Sequence, residues 1–236
     1  RFSEAEAADV ARQVLRTLAY LHAHQVVHCD VKLENLVYEH GDSGHLQLID
    51  FGHSQVLPGT GHLTARCGTL QYTAPEVLAG SYTEQADVWS VGVLLYMLLL
   101  GRHLYSGSAA AIRSKVAKGT PDYAPSLGSL TEGAQGFLRS LLAVDPEERL
   151  TASAALQHPW LLSHASEAQA TEQGAARDLR ALAVAPSLQD REALRRQFHD
   201  LDADGDGVIS RSDLAAALRG AGPDADAGRI FAALDS

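Results

Sequence analysis

The chain has 236 residues, 46% of them hydrophobic, with 19 basic against 29 acidic side chains and a formal net charge of −10. That apolar content at this length can bury a core in one large and one small module, while the acidic balance speaks against nonspecific nucleic-acid binding. Its two cysteines, Cys29 and Cys67, read first as inert thiols in a reducing compartment, with a redox role as the alternative.

Ser3-Glu4-Ala5-Glu6 is a capping box, and Val10, Val14, Leu18 and Leu21 follow at helical spacing, so a long amphipathic helix is expected first. Val26-Val27 reads as a short strand leading into His28-Cys29-Asp30-Val31-Lys32-Leu33-Glu34-Asn35. Leu46-Gln47-Leu48-Ile49 alternates in polarity and reads as a second strand, running into Asp50-Phe51-Gly52. Polar residues on loops at strand ends are well placed for chemistry. Ala74-Pro75-Glu76 follows. The apolar run from Val91 to Leu100 is too short to span a bilayer, and Gly101-Arg102 closes it, which predicts a buried core helix. Asp145-Pro146-Glu147-Glu148-Arg149, then Thr151 and His158-Pro159-Trp160, complete this region.

Taken singly these motifs are weak, since Asp-Phe-Gly is common in turns. In this order they closely resemble the second half of a protein kinase catalytic domain, from Arg1 to about Ser163. The resemblance implies a mainly α fold: a helical C-terminal lobe with short β-strands at the catalytic loop. It implies ATP and Mg²⁺ as cofactors and proteins as substrates. Asp30 would then be the base that takes the hydroxyl proton, and Lys32 would reach the γ-phosphate. Asn35 and Asp50 would bind Mg²⁺ through an amide and a carboxylate oxygen, the hard donors that ion prefers. Lys32, Glu34, Asn35 and Asp50 form the set expected around the nucleotide. In Gly68-Thr69-Leu70-Gln71-Tyr72, which looks like the substrate loop of Ser/Thr kinases, Thr69 would bridge Asp30 and Lys32. Glu34 also stands where basophilic relatives contact a substrate arginine. By the same resemblance Asp87 holds the catalytic-loop backbone, and Arg149 pairs with Glu76.

The chain departs from that pattern in two places. Cys29 replaces the arginine that often grips an activation-loop phosphate, and Ala65 stands where the phosphorylated residue often lies. The resemblance therefore implies a loop that is not ordered by phosphorylation at that position. The Gly-rich loop, the strand lysine and its partner glutamate of that family are absent from the chain, whose first residue is Arg1 and not Met. The chain is expected to be a fragment, weakly active or inactive alone.

Asp202-Ala203-Asp204-Gly205-Asp206-Gly207-Val208-Ile209-Ser210-Arg211-Ser212-Asp213 fits an EF-hand calcium loop. Asp202, Asp204, Asp206, Val208 (by its carbonyl), Ser210 and Asp213 would ligate Ca²⁺, and Gly207 would allow the sharp turn. Leu194, Phe198 and Leu201 give an entering helix its apolar face, and Leu214 to Leu218 begins an exiting one. Residues 190–220 thus read as one full hand within a module at 187–236, and 224–236 as the start of another, with Asp235 at its first loop position. Residues 164–186 read as a linker carrying a short helix. The order of lobe, junction and EF-hand resembles the calcium-dependent protein kinases of plants and protists. There a junction blocks the active site until calcium releases it, which implies intramolecular regulation here.

Two functional readings stand beside each other. One is a calcium-regulated Ser/Thr kinase. The alternative is a calcium-binding, pseudokinase-type scaffold, which Cys29 allows and which Asp30, Lys32, Asn35 and Asp50 oppose. No signal peptide, membrane span or lipidation motif is visible, so a cytoplasmic setting is expected, with an acyl anchor ahead of Arg1 left open. Asp213 at loop position twelve is one methylene shorter than the usual glutamate and less able to bind through both oxygens. Calorimetry on the calcium module is expected to show weaker calcium binding or relatively better tolerance of Mg²⁺; sub-micromolar calcium affinity would contradict this.

Overall fold

The computed structural model describes residues 1–38, 45–59, 61–119 and 125–164. All belong to the first of the chain's two units, Arg1–Leu182. The junction, the calcium loop with Asp202, Asp204, Asp206, Val208, Ser210 and Asp213, and the second hand lie outside the described residues.

Helix α1, Glu4–Ala23, starts at the predicted capping box: Ser3 Oγ accepts from the Glu6 N–H, and the Glu6 carboxylate accepts from the Ser3 N–H. Val10, Val14 and Leu18 are buried, and Leu21 packs partly buried at the core's edge. Their stripe lies against α3, Gln85–Leu100. Every residue of α3 except Met97 and Leu100 is buried, so this helix is apolar all round because protein surrounds it. Gly101 ends it at φ 68, in the left-handed conformation that suits glycine. Among the described residues no helix is long and apolar enough to cross a membrane.

Four short strands form two pairs, and one strand of each pair contacts α1. Strand β1, Val26–Val27, pairs antiparallel with β4, Gln55–Val56. Strand β2, Leu36–Tyr38, pairs antiparallel with β3, Leu46–Leu48, in the register Leu36 to Leu48. The predicted strand through Ile49 stops at Leu48, although the Ile49 N–H still donates to the Asn35 carbonyl at 2.9 Å. That bond extends the ladder to the two residues it has to align, Asn35 and Asp50.

The remaining helices form the base. Helix α2, Pro75–Ala79, begins with proline, whose missing N–H costs nothing there. Helices α4, Ala109–Ala117, α5, Glu132–Leu141, and α6, Ala152–Ala155, each take a hydroxyl cap, from Ser108, Thr131 and Thr151. Helix α7, Pro159–Ser163, brings Trp160 onto Phe137, with ring centroids 5.2 Å apart.

Arg149 ties these parts together. Its guanidinium donates to both oxygens of Glu76 at 2.5 and 3.1 Å, to the Gln85 carbonyl at 2.7 Å and to the Ala143 carbonyl at 2.9 Å. It also lies 5.0 Å from the centre of the Trp89 ring. The Arg149 side chain has no exposed surface, so a truncation leaves Glu76 charged and unpartnered in a dry site. Arg149→Ala is expected to cost about 3–5 kcal/mol, read as a lower urea midpoint at unchanged slope.

Candidate active site

The catalytic-loop backbone is fixed from below. Asp87, buried in the first turn of α3, accepts from the His28 N–H and the Cys29 N–H, each at 2.8 Å. His22 adds a third bond to the same carboxylate at 3.0 Å. Cys29 sits at φ 69, a left-handed conformation that a residue with a Cβ seldom adopts. The two bonds to Asp87 hold the chain in that turn, which sends the next side chain, Asp30, the other way.

His28 is fully buried and joins two parts of the site. Its Nδ1 accepts from the Asp30 N–H at 3.3 Å, and its Nε2 faces the Ile49 carbonyl at 3.2 Å. These partners assign the proton to Nε2. Burial, opposed by the nearby carboxylate of Asp87, pushes the His28 pKa down, so the ring stays neutral and keeps Nδ1 as an acceptor. The ring also meets the edge of Phe51 at 5.0 Å.

Asp30 is the centre of a close triangle. Its Oδ2 accepts from Lys32 Nζ at 2.5 Å, its Oδ1 accepts from Thr69 Oγ1 at 2.9 Å, and Lys32 Nζ also donates to Thr69 Oγ1 at 3.2 Å. Burial acts to raise the Asp30 pKa, but the bonds from Lys32 and Thr69 outweigh it and hold the carboxyl below its ordinary value. Asn35 donates its amide hydrogens to the Asp30 carbonyl at 2.8 Å and to Asp30 Oδ2 at 3.3 Å. Its amide oxygen is thereby turned away from Asp30.

Asp50 sits at φ 65, and its Oδ1 accepts from the Gly52 N–H at 3.2 Å. The ladder bond between Ile49 and Asn35 keeps Asp50 at the same end of the β2–β3 hairpin as Asn35. These two side chains suit Mg²⁺ chemically: one amide oxygen and one carboxylate oxygen, each oriented by a bond through its other atoms. Among the described residues there is no cluster of three or more His, Cys, Asp or Glu side chains for a metal. A metal shared with a phosphate chain would need fewer protein ligands than that. Glu34 is exposed, and its carboxylate is approached by the Tyr72 hydroxyl at 3.5 Å, on the side of the substrate loop.

The loop at 68–72 is itself anchored to α3, where Ser90 Oγ donates to the Tyr72 carbonyl at 2.9 Å. Gly68, at φ +81, passes so close to the catalytic loop that a Cβ there would lie 2.4 Å from the Cys29 carbonyl oxygen. Sequence reasoning missed the work of His22, His28 and Ser90. His28 lies inside a recognisable motif and Ser90 inside the segment 87–93 that resembles the family's central helix, but their partners at Ile49 and Tyr72 are distant in sequence.

Compared with known proteins, residues 1–161 match the protein kinase domain family. A calcium/calmodulin-dependent protein kinase type 1 from Macrobrachium nipponense is 38% identical over 172 residues, 71% of this chain and 50% of the relative. CDPK-related kinase 5 from Arabidopsis thaliana is 35% identical over 237 residues, 92% of this chain and 39% of the relative. CDPK-related kinase 8 from the same plant is 39% identical over 167 residues, 70% of this chain and 28% of the relative. The chain spans half or less of the length of these curated relatives. Their names agree with the resemblance drawn from the motifs.

The triangle around Asp30 makes a titration testable. Carboxyl NMR is expected to place Asp30 below its ordinary pKa and to show it rising in Lys32→Met, with a smaller rise in Thr69→Ala. The stabilisation from the ionised carboxylate is present above the unfolded value and is lost as pH falls through the depressed folded one. An unmoved titration in Lys32→Met would show that the ammonium is not what holds it.

Proposed function

We propose, since the chain belongs to the protein kinase family, that its parent protein transfers the γ-phosphate of ATP to serine or threonine hydroxyls of other proteins under calcium control. The observation that carries this reading is the contact of Asp30, Lys32 and Thr69 beside the hairpin end that presents Asn35 and Asp50.

Each residue has a role that follows from its chemistry. Asp30, kept ionised, orients the incoming hydroxyl and accepts its proton as the oxygen attacks. Thr69 fixes the rotation of that carboxylate and ties it to the loop on which a substrate chain would lie. Lys32 already touches Asp30 and Thr69, so its charge is at hand to offset negative charge on the phosphoryl group. Asn35 and Asp50 would hold Mg²⁺, which supplies charge compensation to the phosphate oxygens when bound. Lys32 and the Gly68–Tyr72 loop, two features found in Ser/Thr kinases, support a Ser/Thr acceptor. Glu34, exposed beside Tyr72, supports a preference for substrates with an arginine near the acceptor.

The calcium part rests on the loop at 202–213 and on the alignment with CDPK-related kinase 5, which runs well past the kinase-domain match. Calcium would reshape the EF-hand module and shift the junction away from the cleft. A cytoplasmic protein would meet both ATP and the calcium signal.

The decisive measurement is phosphotransfer by the intact protein, with calcium and with a chelator. Activity is expected with calcium and to fall with the chelator. Asp30→Asn is expected to lower the rate by about 10²–10⁴-fold while calcium binding is unchanged. Full activity in Asp30→Asn would remove Asp30 as the base. A wild-type protein that binds calcium yet transfers no phosphate would favour the scaffold reading, which the cysteine at position 29 already permits.

A further inference from the structure

The geometry points to Cys29 and Cys67 as a reversible redox pair, in which a peroxide drives a disulfide that links the catalytic loop to the substrate loop. This revises the expectation of two inert thiols. It does not depend on the proposed phosphotransfer, because the link can be detected without any activity.

Three observations support it. Both sulfurs converge on one hydroxyl: Tyr82 Oη lies 3.0 Å from Cys67 Sγ and 4.0 Å from Cys29 Sγ. The backbones that carry them touch, since Gly68 has room for no Cβ against the Cys29 carbonyl. Close backbone approach of this kind is what a disulfide requires, with Cα atoms about 4.4–6.8 Å apart. Finally, both thiols are free, neither is fully buried, and the chain has no other cysteine to compete.

The pair is asymmetric, as a redox pair has to be. The Tyr82 hydroxyl hydrogen is already given to the Ala65 carbonyl at 2.6 Å, and Gln55 donates to the Tyr82 oxygen at 3.2 Å. Neighbouring Cys29 lowers the pKa of Cys67, whereas Cys67, burial and the nearby Asp87 raise the pKa of Cys29. This favours Cys67 as the attacking thiolate and Cys29 as the resolving thiol; the reverse order gives the same disulfide.

The chemistry balances in two steps. Cys67 thiolate attacks one oxygen of hydrogen peroxide. The O–O bond breaks, the sulfur becomes S–OH, and the departing hydroxide takes up the proton that Cys67 had released, leaving as water. Cys29 sulfur then attacks the Cys67 sulfur. The S–O bond breaks as S–S forms, and the oxygen leaves as a second water carrying the Cys29 proton. Two thiols are oxidised by two electrons in total, and one peroxide is reduced to two waters.

The consequence for the site follows from the spacing. Cys29 immediately precedes Asp30, and Cys67 is two residues before Thr69. An S–S bond of about 2.05 Å draws the loops together and pulls Cys67 off Tyr82. That moves Thr69 relative to the Asp30 carboxylate that it orients.

The test uses the intact protein treated with hydrogen peroxide, alkylated and digested without reduction. The expected product is a cross-linked pair of peptides containing Cys29 and Cys67, two hydrogens lighter than their sum, and lost on treatment with dithiothreitol. Phosphotransfer is expected to fall by about 100-fold with the cross-link and to return on reduction. In Cys29→Ser and Cys67→Ser the cross-link disappears, and each variant keeps the same rate before and after peroxide. Oxidation of Cys67 to a sulfinic acid without any cross-link would overturn the proposal, as would a disulfide from either cysteine to another molecule. An inactive wild-type protein that still forms the cross-link would support the redox pair and count against the kinase reading alone.

Discussion

The site depends on one buried carboxylate. Asp87 has 1% of its surface exposed and receives the backbone N–H groups of two successive catalytic-loop residues, with His22 on the same oxygens. Without it, two buried donors would be left unsatisfied at about 1–3 kcal/mol each, and the turn at Cys29 would lose its restraint. Direction is at stake as well as stability. Asp30 can meet Thr69 and Lys32 only while Cys29 holds its left-handed turn. The polar anchor thus lies in the most apolar helix of the fold, where packing keeps it from moving.

Much of the lobe was legible in the sequence, through two kinds of signal. Local physics located the capping box of α1, its buried stripe, the strands beside the motifs and the apolar core helix closed by Gly101. These are contacts between near neighbours, and periodicity reports them. The ion pair of Arg149 with Glu76 and the anchoring by Asp87 came only from the family resemblance. Their partners lie 73 and up to 59 residues apart, and no periodicity records such a distance. The pairing of β2 with β3 and the dual bonding of His28 were missed for the same reason. A two-sided contact between distant loops leaves no mark on either segment alone.

The activation segment shows what an altered residue can lead to. The resemblance aligns Cys29 and Ala65 with an arginine and a phosphorylated residue that in many kinases join this segment to the catalytic loop. A neutral network occupies the region. Tyr82 donates to the Ala65 carbonyl, accepts from Gln55 and meets Cys67, while its backbone pairs with Leu63 on both sides. Such a latch draws its strength from geometry, not from charge. It needs no modifying enzyme to form and is little weakened by salt. Replacing a strong ionic contact by a thiol also puts a nucleophile where an inert cation would stand.

Helix α3 carries a further consequence. It supplies Asp87 to the catalytic loop and Ser90 to the substrate loop, and at Gly92 it leaves no room for a Cβ beside Leu142 and Leu141. Most of its side chains are enclosed by protein, so a change along it is tolerated chiefly when it keeps volume and polarity, whereas residues that face water can change with little cost.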